Sequence, residues 1–144
     1  MENSMTANLL SQLVQPVHLM LHFEPMDQIH REFLTLCAAL AEADQSTYLG
    51  RLDALIAHTV LHFEQENQWM HVYDFPSAGC HRREHDAVLG VLRDVRKCTL
   101  EGNFEVGVRL AQELPKWFSH HVDTMDASLA KFLLETDAVA TATP

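Results

Sequence analysis

The sequence is poor in residues that break helices or form tight turns. Only five glycines and five prolines occur in 144 residues. Neither an Asn-Gly hairpin signal nor the apolar–polar alternation typical of strands is present. These absences argue against sheets and predict an all-α chain.

Cysteine and long apolar runs are also scarce. Cys37, Cys80 and Cys98 lie far apart and form no Cys-x-x-Cys motif, which fits a reducing cytoplasm better than a disulfide scaffold. The most apolar early stretch, residues 9–23, is interrupted by polar residues and is not expected to cross a membrane. No basic segment precedes it, so we expect no secretory signal and a cytoplasmic location.

Positive charge is in the minority. Ten lysines and arginines stand against 20 acidic residues, for a formal net charge of −10. An acidic surface repels nucleic-acid phosphates and anionic lipid headgroups, so neither nucleic acid nor a membrane is expected as a partner.

Helical periodicity runs through most of the chain. Apolar stripes at helical spacing occupy about residues 25–43, 46–72, 80–98 and 103–135. Ser46 and Asn103 are predicted N-caps, and the last helix is expected to kink or restart near Pro115. Four helices with short links predict an antiparallel up-down four-helix bundle. The predicted division is an N-terminal arm at 1–23, the bundle at 24–136 and a flexible tail at 137–144.

Histidine is the residue in excess, with ten copies. Five of them fall in the apolar stripes of the four predicted helices: His30, His62, His81, His85 and His121. Burying imidazoles without partners costs ~1–3 kcal/mol for each unsatisfied group, whereas a shared metal removes that cost. Two carboxylates lie nearly in phase, Glu66 four residues after His62 and Asp126 five residues after His121.

Five imidazoles and two carboxylates are too many for one tetrahedral zinc ion. They suit two ions bridged by the carboxylates, and ligation by nitrogen and oxygen favours iron, manganese or zinc. Asp126 is the least regular member, because five residues turn an α-helix by about 140° beyond a full turn. Helical phase alone pairs His120 with Asp123 instead.

Two other metal sites are weighed against this one. His81-x-x-Glu84-His85 matches a zinc-peptidase pattern, but Glu84 lies about 100° away from the face of the two histidines. Carboxylate di-iron enzymes of the ferritin type need Glu-x-x-His on two helices, and no histidine here follows a glutamate by three residues.

Four segments together resemble the hemerythrins and their single-domain bacterial relatives. They are residues 26–30 (MDQIH), 62–66 (HFEQE), 81–85 (HRREH) and 117–126 (WFSHHVDTMD), in the family's order, one on each predicted helix. The resemblance implies a four-helix bundle with a non-haem di-iron centre that binds O2 reversibly, for oxygen storage, delivery or sensing.

The resemblance also implies a role for each residue. One iron ion, coordinatively full, is held by His81, His85 and His121. The other is held by His30 and His62 and keeps an open position for oxygen. Glu66 and Asp126 bridge the ions, together with an oxo or hydroxo group.

Departures from the family pattern concern the surroundings of the ions. His58 stands where relatives often have tyrosine, and Phe118 follows Trp117 where they commonly have leucine beside the oxygen pocket. We expect these three side chains in or around that pocket. The arm also lacks the tryptophan that many relatives carry ahead of the first iron-binding histidine.

The same metal site is compatible with other functions. One alternative is an enzyme that reduces peroxide or nitric oxide, with His58 delivering protons. Another is an oxygen or redox sensor that signals to a separate protein, which the sequence does not identify. A binding protein is the favoured prediction, and no catalytic residue is assigned.

Overall fold

The structure is a computed structural model that describes the backbone of residues 19–142 and the side chains of residues 19–136. All regular structure in this part is helical. The helices are α1 Glu24–Ala41, α2 Tyr48–Val72, α3 Ala78–Leu100, α4 Phe104–His121, a π-helical segment Val122–Asp126, and α5 Ala127–Ala142. The last three are continuous and form the fourth helix of the bundle. The predicted all-α, antiparallel four-helix bundle is confirmed.

Each helix packs against its neighbours in the chain, and α1 also packs against α4, which closes the bundle. Only residues 42–47, 73–77 and 101–103 lie between consecutive helices. Links this short force each helix to return beside the one before it. None of the described helices has the length and apolar character needed to span a membrane.

The two predicted N-caps have different outcomes. Asn103 caps α4, because its side-chain oxygen accepts a hydrogen bond from the N–H of Val106 at 3.3 Å. Ser46 does not cap α2. Instead, Asp44 Oδ1 accepts hydrogen bonds from the N–H groups of Ser46 and Thr47, at 2.9 and 3.0 Å. An aspartate that bonds the backbone two and three residues on can organise a turn by itself.

Of the predicted kink or restart near Pro115, the restart is wrong, because α4 continues through this residue to His121. Proline removes one backbone hydrogen bond from a helix interior. Leu114 and Phe118, on either side of it, are buried in the core and fasten the helix by packing. The irregularity in the fourth helix lies seven residues later, in the π-helical segment.

Two apolar clusters fill the interior at different levels of the bundle. The larger includes Phe33, Leu55, Leu92 and Phe118. The smaller consists of Met26, Met70, Phe75, Leu129, Ala130 and Leu133. Along α1, α2 and the fourth helix, the buried histidines and acids lie between residues of the two clusters. The bundle therefore encloses a polar layer between two apolar ones.

Only the ends of the predicted arm and tail can be compared with the structure. Leu19 is buried against the larger cluster, and Leu21 packs partly against both. Residues 1–18 lie outside the described residues. Helix α5 extends to Ala142, beyond the predicted end of the bundle at 136, and the flexibility of the tail stays a prediction.

Candidate metal centre

The seven residues predicted to bind metal converge in the polar layer. All are buried, with at most 2% of each residue exposed. Helix α1 contributes His30, α2 contributes His62 and Glu66, α3 contributes His81 and His85, and the fourth helix contributes His121 and Asp126. Every helix of the bundle therefore takes part in the layer.

Glu66 divides its two oxygens between two groups of histidines. Its Oε2 lies 2.7 Å from Nε2 of His62 and 3.5 Å from Nε2 of His30. Its Oε1 lies 3.1 Å from Nε2 of His85 and 3.3 Å from Nε2 of His81. This carboxylate is placed as a bridge between the two groups.

Asp126 divides its oxygens in the same way. Its Oδ2 lies 3.0 Å from Nε2 of His30. Its Oδ1 lies 3.0 Å from Nε2 of His81 and 3.1 Å from Nε2 of His121. Two carboxylates thus separate a pair of imidazoles from a group of three.

The π-helical segment explains how Asp126 reaches the layer. Hydrogen bonds in a π-helix join residues five apart, so His121 and Asp126 lie one turn apart on the same face. Asp126, which would lie out of phase with His121 on an α-helix, is therefore in phase with it here. The alternative pair His120 and Asp123 points outward, and both residues are exposed.

Several atoms that face the middle of the layer lack a hydrogen-bond partner in the described part of the chain. They are Nε2 of His30 and of His85, Oε1 of Glu66, and both carboxylate oxygens of Asp126. Each unsatisfied buried group costs ~1–3 kcal/mol, a cost that a coordinated cation removes. The donor atoms form two groups that share Glu66 and Asp126, and the atoms of each group lie within 4.8 Å of one another. The residues therefore fit two metal ions, and their nitrogen and oxygen donors suit iron, manganese or zinc.

The buried carboxylates in the layer also favour a bound cation. Burial would lower the pKa of His30, but Asp126 and Glu66 raise it to about 9. The same balance raises the pKa of His81 to about 9. Burial would raise the pKa of Glu66 and of Asp126, yet the surrounding histidines hold both below their usual range. Two buried carboxylates thus draw positive charge into the layer, from protons or from metal.

Comparison with known proteins agrees with this arrangement. Residues 21–133 match the hemerythrin HHE cation binding domain, and this span includes all seven residues. The chain belongs to the hemerythrin family. It is 46% identical over 109 residues to a bacteriohemerythrin of Ralstonia nicotianae, covering 76% of this chain and 80% of that protein. It is 30% identical over 86 residues to a bacteriohemerythrin of Methylococcus capsulatus, covering 60% of this chain and 66% of the other. The predicted family is confirmed.

Two hydrogen bonds outside the hemerythrin donor groups were not expected from the sequence. Nδ1 of His121 donates to Oε1 of Glu84 at 3.0 Å, and Nδ1 of His85 bonds to Oδ1 of Asn67 at 3.0 Å. Glu84 turns away from the histidines of its own helix, as its phase predicts, but that side of α3 faces α4. The zinc-peptidase interpretation is therefore not supported, because Glu84 contacts the far nitrogen of a histidine and does not face the layer.

Phe118 and Trp117 contact different donor groups of this hemerythrin centre. The fully buried Phe118 ring packs edge-on against His30, with centroids 5.1 Å apart, and lies 4.4 Å from the ring of Phe33. Trp117 instead stacks on His121, with centroids 4.7 Å apart and an interplanar angle of 22°. Phe118 therefore lies beside the pair of histidines and Trp117 beside the group of three.

His58 lies beside the layer but faces the neighbouring helix. Its Nε2 donates to the backbone carbonyl of Ile29 at 3.3 Å, and its Nδ1 lies 3.7 Å from Oε2 of Glu32. Its ring centroid is 6.0 Å from that of His62. Burial and the charge of His62 lower the pKa of His58. The side chain thus joins α2 to α1 next to His30.

Proposed function

We propose that this protein binds O2 reversibly at two non-haem iron ions in the polar layer, for oxygen storage, delivery or sensing. The observation that carries the proposal is that the two donor groups are unequal. The five-donor position comprises His81, His85, His121, Glu66 and Asp126, and the four-donor position comprises His30, His62, Glu66 and Asp126. With an oxo or hydroxo bridge between the ions, the four-donor position keeps a free coordination site for a small ligand.

In the proposed function, the iron ions and the protein have different roles. A bound pair of iron ions supplies reversible two-electron exchange with O2. The protein orients the imidazoles and excludes water on the side where the ligand enters. Phe33 and Phe118 lie at the four-donor position and are fully buried. An apolar lining would keep water and additional protons away from the bound ligand, so that the ligand could return as O2 and would not be released as hydrogen peroxide.

The contacts of His58 favour binding over peroxide or nitric oxide reduction. A reductive enzyme needs a proton donor directed at the bound substrate, and His58 was the sequence candidate for it. Its Nε2 proton is instead donated to the carbonyl of Ile29. We therefore assign His58 a structural role between α1 and α2 and place no catalytic residue at the centre.

The proposed location is the cytoplasm. Cys37, Cys80 and Cys98 are free thiols, of which Cys37 is buried, Cys98 is partly buried and Cys80 is exposed. An exposed free thiol suits a reducing compartment.

The function is tested with iron-loaded protein that is reduced anaerobically and then exposed to O2. We expect a visible absorption band that appears with O2 and disappears when the sample is purged with inert gas. Zinc-loaded protein is the matched control and should show no band. Immediate decay to the oxidised protein, with continued consumption of added peroxide, would favour the enzyme and contradict reversible binding.

A further inference from the structure

The hydrogen bonds behind the metal ligands are distributed unequally. At the five-donor position, His121 is bonded through Nδ1 to Glu84 and His85 to Asn67, each at 3.0 Å. At the four-donor position, Nδ1 of His30 and Nδ1 of His62 have no hydrogen-bond partner within residues 19–136. Nδ1 of the third five-donor histidine, His81, has none there either. At the five-donor position, two of the three imidazoles therefore have a hydrogen bond at Nδ1. At the four-donor position, neither imidazole has one in this part of the chain.

Aromatic stacking follows the same division. Phe63 lies parallel to His85, with centroids 3.9 Å apart and planes 5° apart, and Trp117 is stacked on His121. The rings of His30 and His62 meet their aromatic neighbours only at steep angles, between 52° and 88°. A ring bonded at one edge and covered on one face loses little freedom when a metal binds. His85 and His121 are therefore oriented before the ion arrives.

The outer hydrogen bonds also select the tautomer. A carboxylate oxygen can only accept a hydrogen bond, so the proton of a neutral His121 ring resides on Nδ1 and the lone pair of Nε2 faces the layer. The charge of Glu84 increases the basicity of that lone pair. The amide oxygen of Asn67 orients His85 in the same way but brings no charge.

We propose that Glu84 and Asn67 are positioning residues that make the five-donor position the tighter of the two metal sites, so that it fills first. Glu84 acts through His121 and has the larger effect because it is charged. Asn67 acts through His85. The inference rests on the two-ion site of the proposed function and does not depend on oxygen binding.

The test is a titration of metal-free protein with Zn²⁺ in competition with a chromophoric chelator, which resolves two dissociation constants. Removing a hydrogen-bond partner behind a metal ligand typically weakens metal binding 10–100-fold. Glu84→Gln keeps the size of the side chain and removes its charge. We expect the tighter constant to weaken about tenfold and the weaker one to change by less than about twofold.

Glu32→Gln is the matched control. It removes the same charge from a carboxylate that faces a histidine, but that histidine is His58, outside both donor groups. Neither zinc constant should change by more than about twofold in this variant. A general loss of negative charge near the layer would instead affect both variants alike.

Asn67→Asp is expected to strengthen zinc binding at the five-donor position, a result that misfolding cannot produce. The new carboxylate keeps the acceptor for His85 and adds charge, so the tighter constant should improve by up to about tenfold. In alkaline solution, where the His121 ring is neutral, nitrogen NMR of the metal-free protein should place its proton on Nδ1 in the wild type, and this preference should weaken in Glu84→Gln.

Three results would overturn the inference: equal zinc constants in the wild type, equal weakening of both sites by Glu84→Gln, or no weakening. Because zinc has no oxygen chemistry, failure of the proposed function is a separate result. Selective weakening of the tighter zinc site by Glu84→Gln, in a protein that does not return O2, would refute reversible oxygen binding and support the positioning role of Glu84.

Discussion

Nε2 of His121 and Oδ1 of Asp126 lie 3.1 Å apart, although the two residues are five positions apart along the chain. The π-helical segment between them contains one residue more than an α-helical turn would need. Removing that residue would leave the histidine and the aspartate four apart. His62 and Glu66 have this spacing on α2, where they also meet in the layer.

Deletion of the exposed Thr124 should therefore leave a folded bundle. The residues after it, including Leu129 and Leu133, keep their phase because the π-helical segment becomes α-helical. Deleting the exposed Gln112 from α4 is the control, since it rotates the two parts of the helix by about 100° relative to each other. Circular dichroism melting should show a cooperative transition for the first variant and a severely destabilised protein for the second. Equal damage by the two deletions would contradict this account of the segment.

Glu66→Gln should weaken both metal positions, because one oxygen of Glu66 faces each of them. His85→Leu should weaken only the five-donor position and leave one zinc ion per chain. Metal analysis after gel filtration at limiting free zinc distinguishes the two variants. A Glu66→Gln protein that keeps one ion at wild-type affinity would show that Glu66 does not bridge.

Phe118→Leu should speed the oxidation of the oxygenated protein, because a smaller side chain beside His30 admits water to the four-donor position. Phe63→Leu is the matched control, since Phe63 stacks on His85 at the five-donor position. Both variants should lose about 1–3 kcal/mol of stability. The rate at which the O2-dependent band is lost should rise only in Phe118→Leu. Similar rates in both variants would remove Phe118 from the control of oxidation.

Removal of the metal should lower the melting temperature, because buried carboxylates and imidazoles then lose their shared partner. A ligand present at 1,000 times its dissociation constant adds ~4 kcal/mol to the free energy of unfolding. Calorimetry with chelator and with excess zinc measures this difference. The zinc-dependent gain should be smaller in Glu66→Gln, and an equal gain in the two proteins would indicate that zinc stabilises the chain elsewhere.

The fold and six of the seven candidate ligands could be predicted because each depends on local pattern, whereas Asp126 was assigned through the resemblance to the hemerythrins. Apolar residues at helical spacing mark the helices, and His62 and Glu66 share a face at four-residue spacing. Asn103 could be predicted as an N-cap because it directly precedes the apolar stripe of α4. These features need no knowledge of which helices touch.

Other features depend on tertiary contacts and could not be derived from one helix at a time. Glu84 lies off the histidine face of α3, on the side that faces α4, and its partner His121 belongs to another helix. A π-helical segment has no residue signature of its own, and the spacing of His121 and Asp126 signalled it only through an apparent misfit. The sequence predicted too strong an effect of Pro115 on the helix, because the burial of Leu114 and Phe118 depends on contacts with other helices.

The most direct test of the central claim is the amount of O2 taken up and returned by the reduced, iron-loaded protein. A buried pair of ions with one open position should take up one O2 for every two iron ions. Evacuation should recover the same amount of O2, with no hydrogen peroxide in solution. Uptake that exceeds this ratio, or O2 that does not return, would contradict reversible binding at a shared two-ion centre.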